Sequence, residues 1–104
     1  MHAVIFITVG RKDEGLRIAR TLVGERLVAC VNVICGVTSI YRWKGGVEEG
    51  AECLLIAKTE KSMVDRVADR VRELHSYSIP EVIALDATGG LRDYLDWVSQ
   101  SVAL

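Results

Sequence analysis

The chain of 104 residues has one proline and no apolar run near the roughly 20 residues that span a bilayer, so no transmembrane helix and no membrane partner are expected. Neither sign of charge dominates. Thirteen Lys and Arg stand against 14 Asp and Glu, interleaved, for a net charge of −1, which argues against nucleic acid or an acidic membrane surface as partner. Cysteine is scarce: three residues, an odd number, with no CxxC pair. A disulfide scaffold and a four-ligand zinc site are therefore both poor fits, and reduced thiols in the cytoplasm are expected. Also missing are a Gly-rich phosphate loop, a G-x-S-x-G elbow and an H-E-x-x-H helix, so no catalytic signature supports an enzyme and no organic cofactor is implied. The apolar start, Met-His-Ala-Val-Ile-Phe-Ile-Thr-Val, lacks a positive n-region and reads as a strand rather than a signal peptide.

Half of the residues are hydrophobic, and together with nine glycines they exceed the share usual in a soluble domain. A small domain cannot bury all of that, so part of it is expected to meet another subunit. Val4 to Val9 is a β-branched run closed by Gly10, a buried strand. Asp13 reads as an N-cap, and Leu16, Ala19, Leu22, Val23 and Leu27 recur at helical spacing to an end near Leu27. Ala29 to Trp43 and Val47 to Lys58 are two β-rich runs about a Lys-Gly-Gly turn, a long antiparallel hairpin. Thr59 or Ser62 caps a second helix with its stripe at Val64, Val67, Ala68, Val71 and Leu74. Glu81 to Ala87 follows as a fourth strand, and Leu91, Tyr94, Leu95 and Val98 mark a last helix. The order is α+β, a ferredoxin-like βαββαβ sandwich with a long β2–β3 hairpin and a C-terminal helix, in one domain over 1–104.

Fifteen residues at about 3.3 Å each reach about 50 Å, whereas a globule of this length is about 33 Å across. The hairpin should overhang, unless a bulge near Gly36 bends it back, and an overhanging apolar ribbon calls for a closed ring of subunits. With Gly45-Gly46 as the loop, opposed residues sum to 91, so Arg42 meets Glu49 in an ion pair and Ser39 meets Glu52. Tyr41, Trp43, Glu52 and Lys58 then share one face, as a site or as packing against a neighbour.

Cys30 and Cys35 are five apart and face opposite sides of a regular strand, so they cannot share a metal. Two routes stay open to a soft ion such as Cu(I): one Cys from each of several subunits, or a Cys with His75. Otherwise each Cys is a small core residue. His2 is incidental. His75, Tyr77 and Glu81 lie in a turn between helix and strand, where His75 serves as ligand, as acid/base, or as a donor at the helix C-terminus.

Several segments together resemble the CutA family, named for divalent-cation tolerance. They are Leu27-Val28-Ala29-Cys30-Val31-Asn32-Val33, Ser39-Ile40-Tyr41-Arg42-Trp43-Lys44-Gly45, Glu52-Cys53-Leu54-Leu55-Ile56-Ala57-Lys58-Thr59, Leu74-His75-Ser76-Tyr77-Ser78-Ile79-Pro80-Glu81-Val82-Ile83-Ala84-Leu85 and Tyr94-Leu95-Asp96-Trp97. The resemblance implies a homotrimer similar in architecture to PII signalling proteins, involved in tolerance of copper or another divalent metal. It implies clefts between subunits involving Tyr41, Trp43, Glu52, Lys58, Tyr77 and Trp97, with Cys30, His75 and Glu81 as metal-ligand candidates. The alternative it leaves open is a PII-like signalling module that holds a small anionic ligand on Lys58 and contacts a partner protein. Ser76 departs from a common Pro, and Ser78 from a common acidic residue, which weakens any hard-cation site there. Cys35 and Cys53 are not motif positions that carry over from the family, and they are read as core.

Overall fold

The computed structural model describes residues 1–103. Along the chain run β1 (His2–Val9), α1 (Lys12–Gly24), β2 (Cys30–Trp43), β3 (Gly46–Glu60), a 3-10 turn (Lys61–Met63), α2 (Val64–Leu74), β4 (Val82–Ala87) and α3 (Arg92–Ser101). The strands form one antiparallel sheet in the order β2-β3-β1-β4, the split βαβ pattern expected from the sequence. Period-two alternation puts Ala3, Ile5, Ile7 and Val9 of β1 beside Cys53, Leu55, Ala57 and Thr59 of β3 on one face. Ile18, Ala19 and Leu22 of α1 and Val67 and Val71 of α2 close over that face. Each fully buried Ile or Leu contributes about 1.5–3 kcal/mol to holding the layers together.

Local chemistry differs from expectation at several ends. The α1 N-cap is Arg11, not Asp13. Asp13 lies in the first turn, where the Arg11 guanidinium grips its carboxylate at 3.1 and 2.9 Å. The helix stops at Gly24 rather than near Leu27 because Arg26 turns into left-handed backbone (φ 60°) and Leu27 N–H bonds back to Leu22 O. Neither Thr59 nor Ser62 caps α2, whose N-cap is Met63. Thr59 instead points into the core, fully buried, and donates to Leu27 O at 2.7 Å, joining β3 to the end of α1.

The hairpin is as long as expected, but its loop is Lys44-Gly45. Both residues have positive φ, 49° and 81°, as a tight hairpin turn of matching twist requires. Opposed residues therefore sum to 89, so Arg42 faces Val47 and Ser39 faces Gly50; the expected Arg42–Glu49 and Ser39–Glu52 pairings do not form. The slip is two, an even number, so Tyr41, Trp43 and Glu52 keep their common face. Between Ile34 and Val37 the register shifts at a bulge, where Gly36 has φ 84°. Here the reading of three free thiols is corrected: Cys35 and Cys53 are joined in a disulfide across the bulge, and Cys30 alone is free. The expectation of a reducing compartment rested on those thiols. β1 pairs with β3 only from Cys53 to Glu60, so the hairpin beyond this point is a two-stranded arm, and the molecule measures 44 × 25 × 22 Å.

α3 crosses the opposite face of the sheet at its His2 end. His2 Nε2 lies 2.9 Å from both Leu95 O and Ser99 Oγ, and Ser99 Oγ donates to the Glu60 carboxylate. Arg26 reaches the other end of α3, donating to Ser101 O and Gln100 O at 3.1 and 2.9 Å, a cation at a helix C-terminus. The Ser99 hydrogen bond, helped by the nearby His2 ring, holds Glu60 below the ordinary carboxyl value of 4.5 despite the opposing effect of burial.

Two outcomes are expected. Thr59→Val preserves shape but leaves Leu27 O buried without its donor, so denaturant unfolding should show a loss of about 1–2 kcal/mol at an unchanged slope. Glu60, with its pKa depressed on folding, stabilises the fold above pH 4.5, and this contribution is lost as pH falls through the folded value. Ser99→Ala narrows that gap, so its stability deficit should be largest at neutral pH and shrink in acid; a deficit independent of pH would refute this origin.

Candidate functional site

Where the arm leaves the body, it overhangs the end of β1 and the loop between α2 and β4. A cavity of about 490 Å³ lies between them, walled by Ser39, Ile40, Tyr41, Trp43 and Glu52 of the hairpin, Thr8 of β1, and Tyr77, Ser78, Ile79 and Glu81 of the loop. Among the described residues, no lysine, arginine or histidine lines it.

The loop owes its shape to His75, whose side chain is buried. Nε2 lies 2.7 Å from Thr8 O, which can only accept, so Nε2 carries the proton. Nδ1 is thereby an acceptor, and it takes the Tyr77 N–H at 3.1 Å. Both ring nitrogens are committed within the chain. Glu14 of α1 fixes the next residue, accepting from Ser76 N–H at 2.8 Å and Ser76 Oγ at 2.9 Å. Burial pushes the Glu14 carboxyl up, but the Ser76 amide and hydroxyl outweigh it, and the group sits below the ordinary range. A proline at position 76 would lack that N–H and could not make the backbone bond to Glu14.

Tyr77 then stands against His75, ring centroids 4.7 Å apart, and donates its hydroxyl to Glu52 Oε2 at 2.9 Å. Burial, with the hydrogen bond and charge of Glu52 behind it, pushes the phenol up to about 12. Gly10 makes room for it, since a Cβ there would come within 2.9 Å of the Tyr77 hydroxyl. Glu81 accepts a long bond, 3.4 Å, from Thr8 Oγ1. Three aromatic rings and two carboxylates thus share one cleft, an environment that favours cations over anions.

The other candidates lie elsewhere. Cys30 is paired across the strands with Lys58, and its Sγ is 3.5 Å from the Tyr94 hydroxyl, itself held beside Trp97 with centroids 5.6 Å apart. The Cys30 contact, followed by burial, raises Tyr94 to about 12. Lys58 Nζ donates to Asn32 Oδ1. Lys58 lies six positions along β3 from Glu52, about 20 Å at strand rise. One chain therefore forms two groups: Tyr41, Trp43, Glu52, Tyr77 and Glu81 at the cleft, with His75 beneath it, and Cys30 and Lys58 of the paired strands β2 and β3 with Trp97 of α3. Among the described residues no group of three or more His, Cys, Asp or Glu is placed to hold a metal ion.

Sequence reading did not find Thr8, Glu14 or Tyr94. Thr8 and Glu14 act through long-range hydrogen bonds that leave no local pattern, whereas Tyr94 sat in a quoted motif beside Trp97. His75→Ala removes the donor to Thr8 O and the acceptor for Tyr77 N–H together. It should cost about 2–3 kcal/mol and speed hydrogen exchange of the Tyr77 amide; an unchanged amide would show the loop to be fixed by other contacts.

The profile described as "CutA1 divalent ion tolerance protein" matches residues 3–101. The "Divalent-cation tolerance protein CutA" of Thermus thermophilus is 46% identical over 101 residues, covering 97% of this chain and 98% of its own. Human "Protein CutA" is 46% identical over 95 residues, 91% of this chain, but the chain spans only 53% of its length. A solved structure of the Thermus protein superposes with a TM-score of 0.97 at 45% identity, covering 99% of this chain and all of that one. That of Archaeoglobus fulgidus, titled a periplasmic divalent cation tolerance protein CutA, gives 0.96 at 36% identity, covering 99% and 100%. With the family profile matched over almost the whole chain and the fold in agreement, the chain belongs to the CutA1 divalent ion tolerance family.

Proposed function

We propose that this chain forms a homotrimer that acts in tolerance of, or response to, divalent metal, copper included, and binds the ion at clefts between subunits. The observation that carries the reading is the uncovered apolar surface beside the cleft. On the sheet face that α3 leaves open, Ile34, Ile83 and Leu85 are 48%, 54% and 52% exposed. On the arm, Ile40 and Val47 are 66% and 67% exposed. Both sheet edges, β2 and β4, are unpaired. Head-to-tail contact between such edges closes into a ring when the rotation permits, and the ring removes both the edges and the apolar face from water.

The metal fits only as an ion shared between subunits. Cys30 offers a thiol on edge strand β2, and Glu81 offers a carboxylate at the entry to edge strand β4. A ring that joins β2 of one copy to β4 of the next brings those two elements together, which one chain alone does not. His75, with both nitrogens committed, supports the loop and joins the ligand set only where its bond to Tyr77 opens. The names of the relatives speak of tolerance of divalent cations, not of a reaction. The alternative of an anionic ligand on Lys58 is less favoured, because Lys58 engages Asn32 and is remote from a cleft that carries two carboxylates.

Native mass spectrometry without reductant, titrated with Cu(II), Zn and Ni, reads oligomer and metal together. The expected result is a trimer taking one ion per cleft, with Cys30→Ser and Glu81→Gln each losing uptake while staying trimeric. A monomer, or a trimer bare at micromolar metal, would overturn the proposal.

A further inference from the structure

The cleft beside the arm carries negative charge and no cation of its own to meet it. Glu52 accepts one hydrogen bond at Oε2, from Tyr77, and Glu81 accepts one long bond at Oε1, from Thr8. The second oxygen of each carboxylate has no side-chain donor among the described residues, and the lining holds no basic group. Ser39 and Ser78 add hydroxyl acceptors to the same walls. Tyr77 is not a competing charge: its phenol, pushed up to about 12, stays neutral and donates to Glu52.

The sheet sets how far apart the two charges stand. Glu52 continues β3 past the Cys53–Val9 pair, and Glu81 precedes the Val82–Ile7 pair of β4, so β1 runs between them. Two strand spacings separate their backbones, about 10 Å. Among the described residues no metal group forms here, so within one chain the two carboxylates are met by separate positive charges. Each has an oxygen that calls for an N–H donor, which a primary ammonium brings and a quaternary ammonium lacks. The rings of Tyr41, Trp43 and Tyr77 also attract an ammonium, and Ile40 and Ile79 suit methylene groups. The cavity, about 490 Å³, has the size of a small-molecule site.

We propose that the cleft binds a small aliphatic diammonium ion, one charged end on Glu52 and the other on Glu81, with its methylene stem against Tyr41, Trp43 and Ile79. The carboxylates and the rings all come from one chain, so the site needs no open strand edge. In the ring of subunits the next copy adds a wall to the same cleft. The inference goes beyond the metal reading and shares only Glu81 with it.

The test is isothermal titration calorimetry on the full chain in its native assembly, stripped of metal with EDTA and dialysed. Cadaverine, a five-carbon diamine, should bind once per chain. Ethylenediamine, too short to reach both carboxylates, and pentylamine, with one charge, should each bind at least tenfold more weakly, and the dianion glutarate not at all. Glu52→Gln keeps an acceptor for Tyr77 but loses the charge, and it should weaken cadaverine at least tenfold. Trp43→Ala should weaken it several-fold. Cys30→Ser removes a metal ligand and should leave cadaverine binding unchanged, so failure of the metal reading and failure of this one are told apart. Equal binding of pentylamine, undiminished binding in Glu52→Gln, loss of binding in Cys30→Ser, or no heat at millimolar cadaverine would each overturn the proposal. The last of these is also the result expected if a basic side chain of the next copy already fills the cleft.

Discussion

The hydrogen-bonded ladder between β3 and β1 ends where Cys53 faces Val9, yet β3 itself begins seven residues earlier, at Gly46. One strand thus belongs to two bodies. Its later half alternates strictly between buried and half-buried residues, because helices cover one face and α3 part of the other; its earlier half is exposed almost throughout. The change comes where β1 runs out, since no third strand or helix of this chain reaches farther. The cleft exists because the arm continues beyond that point, and the bulge and disulfide sit at the same place because two differently supported segments meet there.

The cleft shows how far function depends on groups that hold other groups. Tyr77 reaches Glu52 only because its loop is threaded between a histidine anchored on Thr8 and a serine anchored on Glu14. Those anchors come from β1 and α1, the earliest part of the chain, while the loop comes more than 60 residues later. The aromatic and acidic lining is therefore positioned by the body of the domain rather than by the arm that roofs it.

Periodic features were the readable ones. Helical spacing at Val64, Val67, Val71 and Leu74 and the unbroken β-branched run from Val4 to Val9 gave the elements, because burial selects the residues themselves. Features set by single backbone torsions were not readable. Lysine is an uncommon residue at positive φ, and Lys44 adopts it, so the loop moved by one residue and the register by two. The faces survived because two is even. The bulge added an odd shift on the far side, which carried Cys35 opposite Cys53; under the expected pairing Cys35 would have faced Ile56. The side-chain caps expected at Asp13, Thr59 and Ser62 failed for a related reason: each residue found a stronger or closer partner, or the chain turned elsewhere. The resemblance put Tyr41, Trp43, Glu52 and Tyr77 in one set with Lys58 and Trp97, and spacing along the sequence carried no information on which of them one chain brings together.

The position of β1 in the sheet has a consequence for how the chain acquires its structure. β1 is made first, but its two neighbours are β3 and β4, with His2 opposite both Glu60 and Ala87. Contacts of such long sequence separation form late and slow the folding of sheet proteins. During synthesis an apolar strand, Ala3 to Val9, waits unpaired while most of the domain is still being made, and the hairpin β2–β3, whose contacts are local, can close before it. The nascent chain is thus most exposed to mispairing in the interval between completion of the arm and arrival of β4, when the edge that β1 will present is still open.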